Sequence, residues 1–188
     1  MMYYLIQTIG IVGAVVAFVA FQQKQHKRIV AFRAVTDCLF TFHWLLQSAW
    51  VGTAMGIVCV IKDLILAFAV EKNRHVKLCT VLLCALYIAM GAISIVFSND
   101  SIAIGVLLIA ANLNGTVAYS ISNEILMRMI DLPTEVVWLV YNLRAMSFGG
   151  ITCQTFIIIS ILIVFIRFSI KKLWRREDDS ERKRTTTL

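Results

Sequence analysis

The chain has 188 residues, 60% of them hydrophobic and only 15% charged, with a mean hydropathy of +0.81. Soluble domains sit near about 45–50% apolar and about 25% charged, so this composition excludes an ordinary soluble fold. The net charge of +7 does not indicate nucleic-acid binding, because the basic residues lie in short loops and at the C-terminus, where cytoplasmic membrane flanks carry them.

A membrane-crossing helix needs about 20 mostly apolar residues. Runs 1–23, 38–61, 78–99, 101–123 and 145–166 hold no Asp, Glu, Lys or Arg and each meets that length. The alternating segments of a β-barrel do not occur. The expected fold is all-α integral membrane, with seven transmembrane helices over 3–22, 29–48, 51–70, 77–97, 102–120, 126–143 and 148–168.

The first span has no basic region before it, and "KQHKR" follows it, so it reads as a transmembrane helix with its N-terminus outside and not as a cleaved signal. The second carries Arg33, Asp37, His43, Trp44 and Gln47. The third opens on Gly52-x-x-x-Gly56, a close-packing pattern, and contains Lys62 and Asp63. The fourth is plainly apolar. The fifth holds Asn112 and Asn114; the "NGT" sequon there lies inside an apolar run and is discarded. The sixth is the weakest by hydropathy, since it contains Arg128, Asp131, Pro133 and Glu135. The seventh opens on Gly149 and Gly150. The tail, 171–188, is polar and mixed in charge and is expected to be disordered, with Lys171, Lys172, Trp174, Arg175 and Arg176 at the cytoplasmic headgroups. The five cysteines all lie in apolar runs without a CxxC and read as small buried hydrophobes.

Two patterns retain the sixth helix. With seven helices and the N-terminus outside, fifteen of the eighteen Lys and Arg face the cytoplasm, including eight in and beside the tail; omitting the sixth helix would put those eight outside. The second pattern is an internal repeat. Asp37 precedes Trp44 by seven residues, and Asp131 precedes Trp138 by seven. An arginine stands before each aspartate (Arg33, Arg128), and an amide and a glycine follow each tryptophan (Gln47 and Gly52; Asn142 and Gly149). The organisation is 3+1+3: a three-helix repeat over 1–70, a linker helix within 71–100, a second repeat over 101–170, and the cytoplasmic tail. One linker helix gives both units the same orientation, a parallel repeat about an axis along the membrane normal.

On a helical period Arg33, Asp37, Trp44 and Gln47 share one face, and so do Arg128, Asp131, Glu135, Trp138 and Asn142. A charge near the bilayer centre costs about 2.5–3.5 kcal/mol on insertion scales, so it faces protein or a wet cavity. Arg33 and Asp37 can pair within their helix. Arg128 can balance only one of Asp131 and Glu135, leaving the other carboxyl to keep its proton or to pair across to another helix. Lys62 and Asp63 are adjacent and point about 100° apart, so they are expected on different faces, with Lys62 reaching inward to the interface and Asp63 needing a partner from the first or second helix. His43 is a lone intramembrane histidine and reads as a hydrogen-bonded polar residue. Pro133 frees a carbonyl one turn earlier and can kink the sixth helix.

The residues that would contact a small polar solute are Asp37, Trp44, Gln47, Asp131, Glu135, Trp138 and Asn142, with Arg33, Asp37, Lys62 and Asp63 as intramembrane charge pairs. The competing reading makes the same charges interhelical ties in a non-transporting scaffold or sensor. No catalytic triad, metal-ligand spacing or glycine-rich phosphate loop occurs, so neither an enzyme nor a metal or other cofactor is expected.

"GIVGAVVAFVAFQQKQHKR", "FHWLLQSAWVG", "VWLVYN", "SFGGITCQ" and "FIRF" together resemble the YgjV family of bacterial inner membrane proteins. The pattern is also similar to PQ-loop and SWEET-like proteins, with "FQQ" where those carry Pro-Gln. The resemblance implies a multi-pass protein of the bacterial inner (plasma) membrane and no settled substrate. The partners expected are the lipid bilayer and a small polar solute, with a homo-oligomer admitted.

Overall fold

The computed structural model describes residues 2–23, 25–72, 75–97 and 101–186, with side chains between 3 and 170 except Phe21, His26, Glu71 and Phe97. The described residues form seven helices: α1 (Met2–Gln22), α2 (His26–Leu46), α3 (Trp50–Glu71), α4 (Val76–Phe97), α5 (Ile102–Tyr119), α6 (Glu124–Arg144) and α7 (Phe148–Thr186). No strand occurs among the described residues. The first six match the expected spans to within three residues. α7 runs past 170, where a disordered tail was expected. The sequence there places Asp178 four before Arg182 and Asp179 four before Lys183, an acid-then-base spacing that supports a helix. The side chains of the tail, with Lys24 and Arg74, lie outside the described residues.

Among the described residues, six helices are long and apolar enough to cross a membrane, and α6 is not. Local chemistry defines α6 instead. Asn123 caps it, its Oδ1 accepting from the backbone N–H of Ile125 and Leu126, both at 3.1 Å. Glu124 in the first turn and Arg144 in the last complement the helix dipole. Its charges point inward: Arg128, Asp131 and Glu135 are buried, while Leu126, Met129, Val136, Val140 and Leu143 are exposed. The outer surface of α6 is therefore as apolar as that of its neighbours.

α2 packs on α1 and α3, and α6 packs on α5 and α7. The two sets close into a ring through α1 against α7 and α3 against α5, and α4 bridges α3 and α5 from outside. α4 is accordingly the least buried span. Exchanging α1–α3 with α5–α7 carries the α3/α5 contact onto the α7/α1 contact. The turns correspond as well. Both α2–α3 and α6–α7 are joined by three residues whose middle member, Ser48 or Met146, has φ near the left-handed region at 58° and 51°.

Glycine sets the closest helix approach. A Cβ on Gly149 would stand 2.5 Å from the Gly10 Cα, so α1 and α7 touch backbone to backbone. Gly52 instead admits Tyr141 of α6, whose hydroxyl accepts from the Gly52 N–H at 2.8 Å. α6 is held to α5 by Asn114, which donates to the Ile130 carbonyl at 2.6 Å and to Thr134 Oγ1 at 3.0 Å, beside Pro133.

Candidate functional site

α2 and α6 face each other across the ring, and long side chains join them. One apolar cluster, which includes Phe40, Trp44, Met55, Trp138 and Tyr141, fills the half of the bundle towards the α2–α3 and α6–α7 turns. A second, with Ile29, Val30, Leu66, Tyr119 and Met127, closes the opposite half. Between them lie the charges.

Arg33 reaches across to α6, its Nη2 2.7 Å from Glu135 Oε1, and keeps Asp37 of its own helix at 3.9 Å. Asp131 and Glu135 are 1% and 0% exposed, so the second acid of α6 is buried beside the first. Arg128 donates to the Gln23 carbonyl at 3.2 Å. The counter-charge for α6 thus comes from α2, which is the cross-helix alternative the sequence left open.

Lys62 and Asp63 depart from their expected arrangement. Both are buried, and they pair with each other, Lys62 Nζ to Asp63 Oδ1 at 2.8 Å. The 100° between their Cα–Cβ bonds is overcome by the lysine's four-carbon stem, which bends back where a shorter side chain would not. Lys62 does not reach an interface. Its Nζ sits 4.5 Å from the centre of the Tyr119 ring, and the Arg33 guanidinium lies 5.7 Å from the same ring. Tyr119 thereby offers a π face to both buried cations.

Above the charges, Trp44 and Trp138 stack with centroids 4.8 Å apart and planes 12° from parallel. Trp44 Nε1 donates to Asn142 Oδ1 at 3.2 Å, and Asn142 Nδ2 donates to the Trp138 carbonyl at 2.9 Å. These bonds fix the pair against rotation. Beneath it lies a small cavity of about 20 Å³. That is room for one water. Arg33, Asp37, Trp44, Trp138 and Gln154 are among its lining residues.

Of the residues singled out in the sequence, Asp37, Trp44 and Trp138 line this cavity, and Glu135 and Asn142 bond to groups that do. Asp131 lies behind Glu135, 3.3 Å from where a Cβ on Gly115 would be. Gln47 falls past the end of α2, where its backbone N–H caps the helix by donating to the His43 and Trp44 carbonyls. His43 is a tie, with Nδ1 2.8 Å from the Ile6 carbonyl and Nε2 2.8 Å from Ser147 Oγ. Asn112 ties α5 to α3 by accepting from Cys59 Sγ at 3.4 Å. Two contributors carried little signal in the sequence. Gln154 is a lone amide four residues after Gly150, and Tyr119 is one more aromatic near a helix end.

A family model described as Imp-YgjV, bacterial inner membrane protein, matches residues 4–172. The chain belongs to this family. The matched span takes in nearly the whole bundle and stops two residues beyond Ile170, where the apolar part of α7 ends. The protein is therefore a multi-pass protein of the bacterial inner membrane, and the apolar side chains on its outer surface are lipid contacts. No curated protein and no solved structure matches the chain. The family description names no solute or reaction.

Proposed function

We propose that this family member carries a small polar metabolite across the inner membrane, with α2 and α6 lining the route. The carrying observation is the placement of the cavity: central, polar on one side, capped by the Trp44–Trp138 stack and closed on the other side by the Tyr119 cluster. Such a site corresponds to an occluded state, from which either apolar plug can part. The seven helices all cross the membrane in this reading, α6 included, because its charges are spent inward. The chain forms two parallel three-helix units linked by α4. The matched turns and the exchangeable α3/α5 and α1/α7 contacts support that organisation. The N-terminus is outside and the C-terminus cytoplasmic, supported by the distribution of basic residues. Rocking one unit against the other would break the side-chain links between α2 and α6. The protein performs no covalent chemistry in this proposal.

The test is uptake of a panel of polar metabolites by liposomes holding the purified chain, with thermal shifts on the same panel. Trp44→Ala and Trp138→Ala should abolish uptake and any ligand-induced shift. If no solute moves and both variants leave the shifts unchanged, the carrier reading fails. The small size of the cavity favours a second reading, a scaffold or sensor whose charges are ties. That reading requires neutralising Asp37 or Asp131 to reduce folded protein in step with any loss of phenotype.

A further inference from the structure

A second hollow, of about 790 Å³, opens where α3, α4 and α5 reach one end of the bundle, and it shares no lining residue with the cavity under the tryptophans. Ligand sites run to about 300–1,000 Å³, so it has room for a small molecule. The spans themselves set its level. Val70 ends the apolar span of α3, Val76 begins that of α4, and Ser120 directly follows that of α5; all three line the groove. The groove therefore lies where hydrocarbon gives way to headgroups. Glycine placement accounts for the opening. Gly91 of α4 seats Ile109 of α5, and Gly105 of α5 seats Ile95 of α4, so the two helices close tightly at their other ends. No glycine precedes Gly91 in α4.

The polar chemistry of the groove has one sign. No acidic residue lines it. Lys77 and His75 are exposed and bring an ammonium and an imidazole. Thr80 and Ser120 spend their hydroxyl protons on the Val76 and Val117 carbonyls, at 2.8 and 2.7 Å. The donors towards an anion are thus Lys77 and His75, with the Ser122 hydroxyl beside them. The surroundings agree in sign. One apolar cluster joins the start of α2, the end of α3, the start of α4, the end of α5 and the start of α6. Lys27, Arg28, Lys72, Lys77 and Arg128 stand at those helix ends, against Glu71 and Glu124.

The remaining wall is apolar: Val70, Val76 and Val81. Val81 is 65% exposed, so the groove runs out onto the outer surface of α4, the least buried span. A free anion gains nothing from that wall, whereas a lipid matches both halves. Basic pockets between transmembrane helices are where anionic headgroups bind. We propose that the groove binds one anionic phospholipid, with its headgroup phosphate on Lys77 and His75 and an acyl chain along Val81 and the outer face of α4. The lipid packs between α4 and the end of α5, where no glycine contact joins them. This site does not depend on a solute being carried between α2 and α6.

The experiment is thermal unfolding of the full chain in mild detergent with added phosphatidylglycerol, phosphatidylcholine of the same acyl chains, or inorganic phosphate. Saturating phosphatidylglycerol should raise the midpoint by roughly 5 °C, and the other two should leave it nearly unchanged. Lys77→Gln combined with His75→Asn should unfold like the wild type without lipid, because both side chains are exposed and asparagine tolerates the left-handed φ of 53° at residue 75. That variant should lose the phosphatidylglycerol shift, and Arg28→Gln, at the same end of the bundle, should keep it. Equal shifts from the two lipids overturn the proposal, as does a shift that survives in the double variant. A shift reproduced by inorganic phosphate makes the groove a free-anion site and overturns the lipid assignment. A shift lost equally in Arg28→Gln makes the attraction diffuse and overturns the groove. Solute uptake enters none of these outcomes, so failure here and failure of the carrier reading are separate results.

Discussion

Arg33→Met is the most informative single change, because it strips the cation from Glu135 while nearly conserving volume. Arg33 Nη2 stands 2.7 Å from a carboxyl that is 0% exposed. At an effective dielectric constant of about 20, the gross attraction at that separation is roughly 6 kcal/mol. Desolvation of both groups offsets much of this, so the net worth of the pair is far smaller. The cost of breaking it is not small, because the remaining charge stays buried: roughly 3–5 kcal/mol when one partner is removed. Typical domains have only about 5–15 kcal/mol in total. Arg33→Met should therefore lower the unfolding midpoint in mild detergent steeply, and Glu135→Gln in the same background should recover at least about 2 kcal/mol of the loss, a coupling expected of residues in contact. An Arg33→Met protein that unfolds like the wild type would refute the reasoning, and so would a double variant no more stable than the single one.

Three further outcomes follow from the packing. Gly149→Ala drives a Cβ into the Gly10 backbone and should cost about 1–3 kcal/mol of stability; Gly115→Ala, whose nearest neighbours are side-chain atoms at 3.3 Å, should cost less, and equal melting temperatures would contradict the α1/α7 contact. Trp44→Phe keeps an aromatic ring against Trp138 but leaves Asn142 Oδ1 without the indole donor, so denaturant unfolding should show a loss of about 1–3 kcal/mol. A reporter fused to the C-terminus should be active only in its cytoplasmic form, and a periplasmic signal would remove one crossing from the proposed topology.

Hydropathy made most of the helices legible, since a membrane span needs its apolar residues in one uninterrupted run. α6 was legible by a different route, through charge placement and the recurrence of the Asp–Trp spacing, because half of its surface is turned to polar partners. The inward facing of Trp44 and Trp138 was readable from the helical period, which sets each on the polar stripe of its helix. The pairing of charges was readable within α2, where Arg33 keeps Asp37 at 3.9 Å, and not between helices. Spacing along one helix identifies neighbours on that helix, and Arg33 chose Glu135 on another. Arg128, near the helix end, reaches the Gln23 carbonyl of α1. Lys62 and Asp63 were misjudged because backbone geometry fixes where Cβ points and says little about an ammonium four carbons further on. Gln154 was hidden among apolar neighbours, and its meaning came only with the cavity it lines.

The charge cluster also bears on whether the interior is only glue. Each central charge costs about 2.5–3.5 kcal/mol to insert. Interhelical polar contacts in membranes return an average of about 0.6 kcal/mol each. Six ionisable side chains are an unfavourable way to hold α2, α3 and α6 together when the Trp44–Trp138 stack and the glycine contacts already do so. Replacing a buried ion pair with apolar groups of similar volume is often neutral or stabilising. Arg33→Met combined with Glu135→Met should therefore fold, and should melt within about 1 kcal/mol of the wild type or above it. If it does and uptake is lost, the cluster is there for what it does and not for what it holds. If the double variant collapses while Trp44→Ala and Trp138→Ala remain folded, the charges are the ties and the scaffold reading prevails.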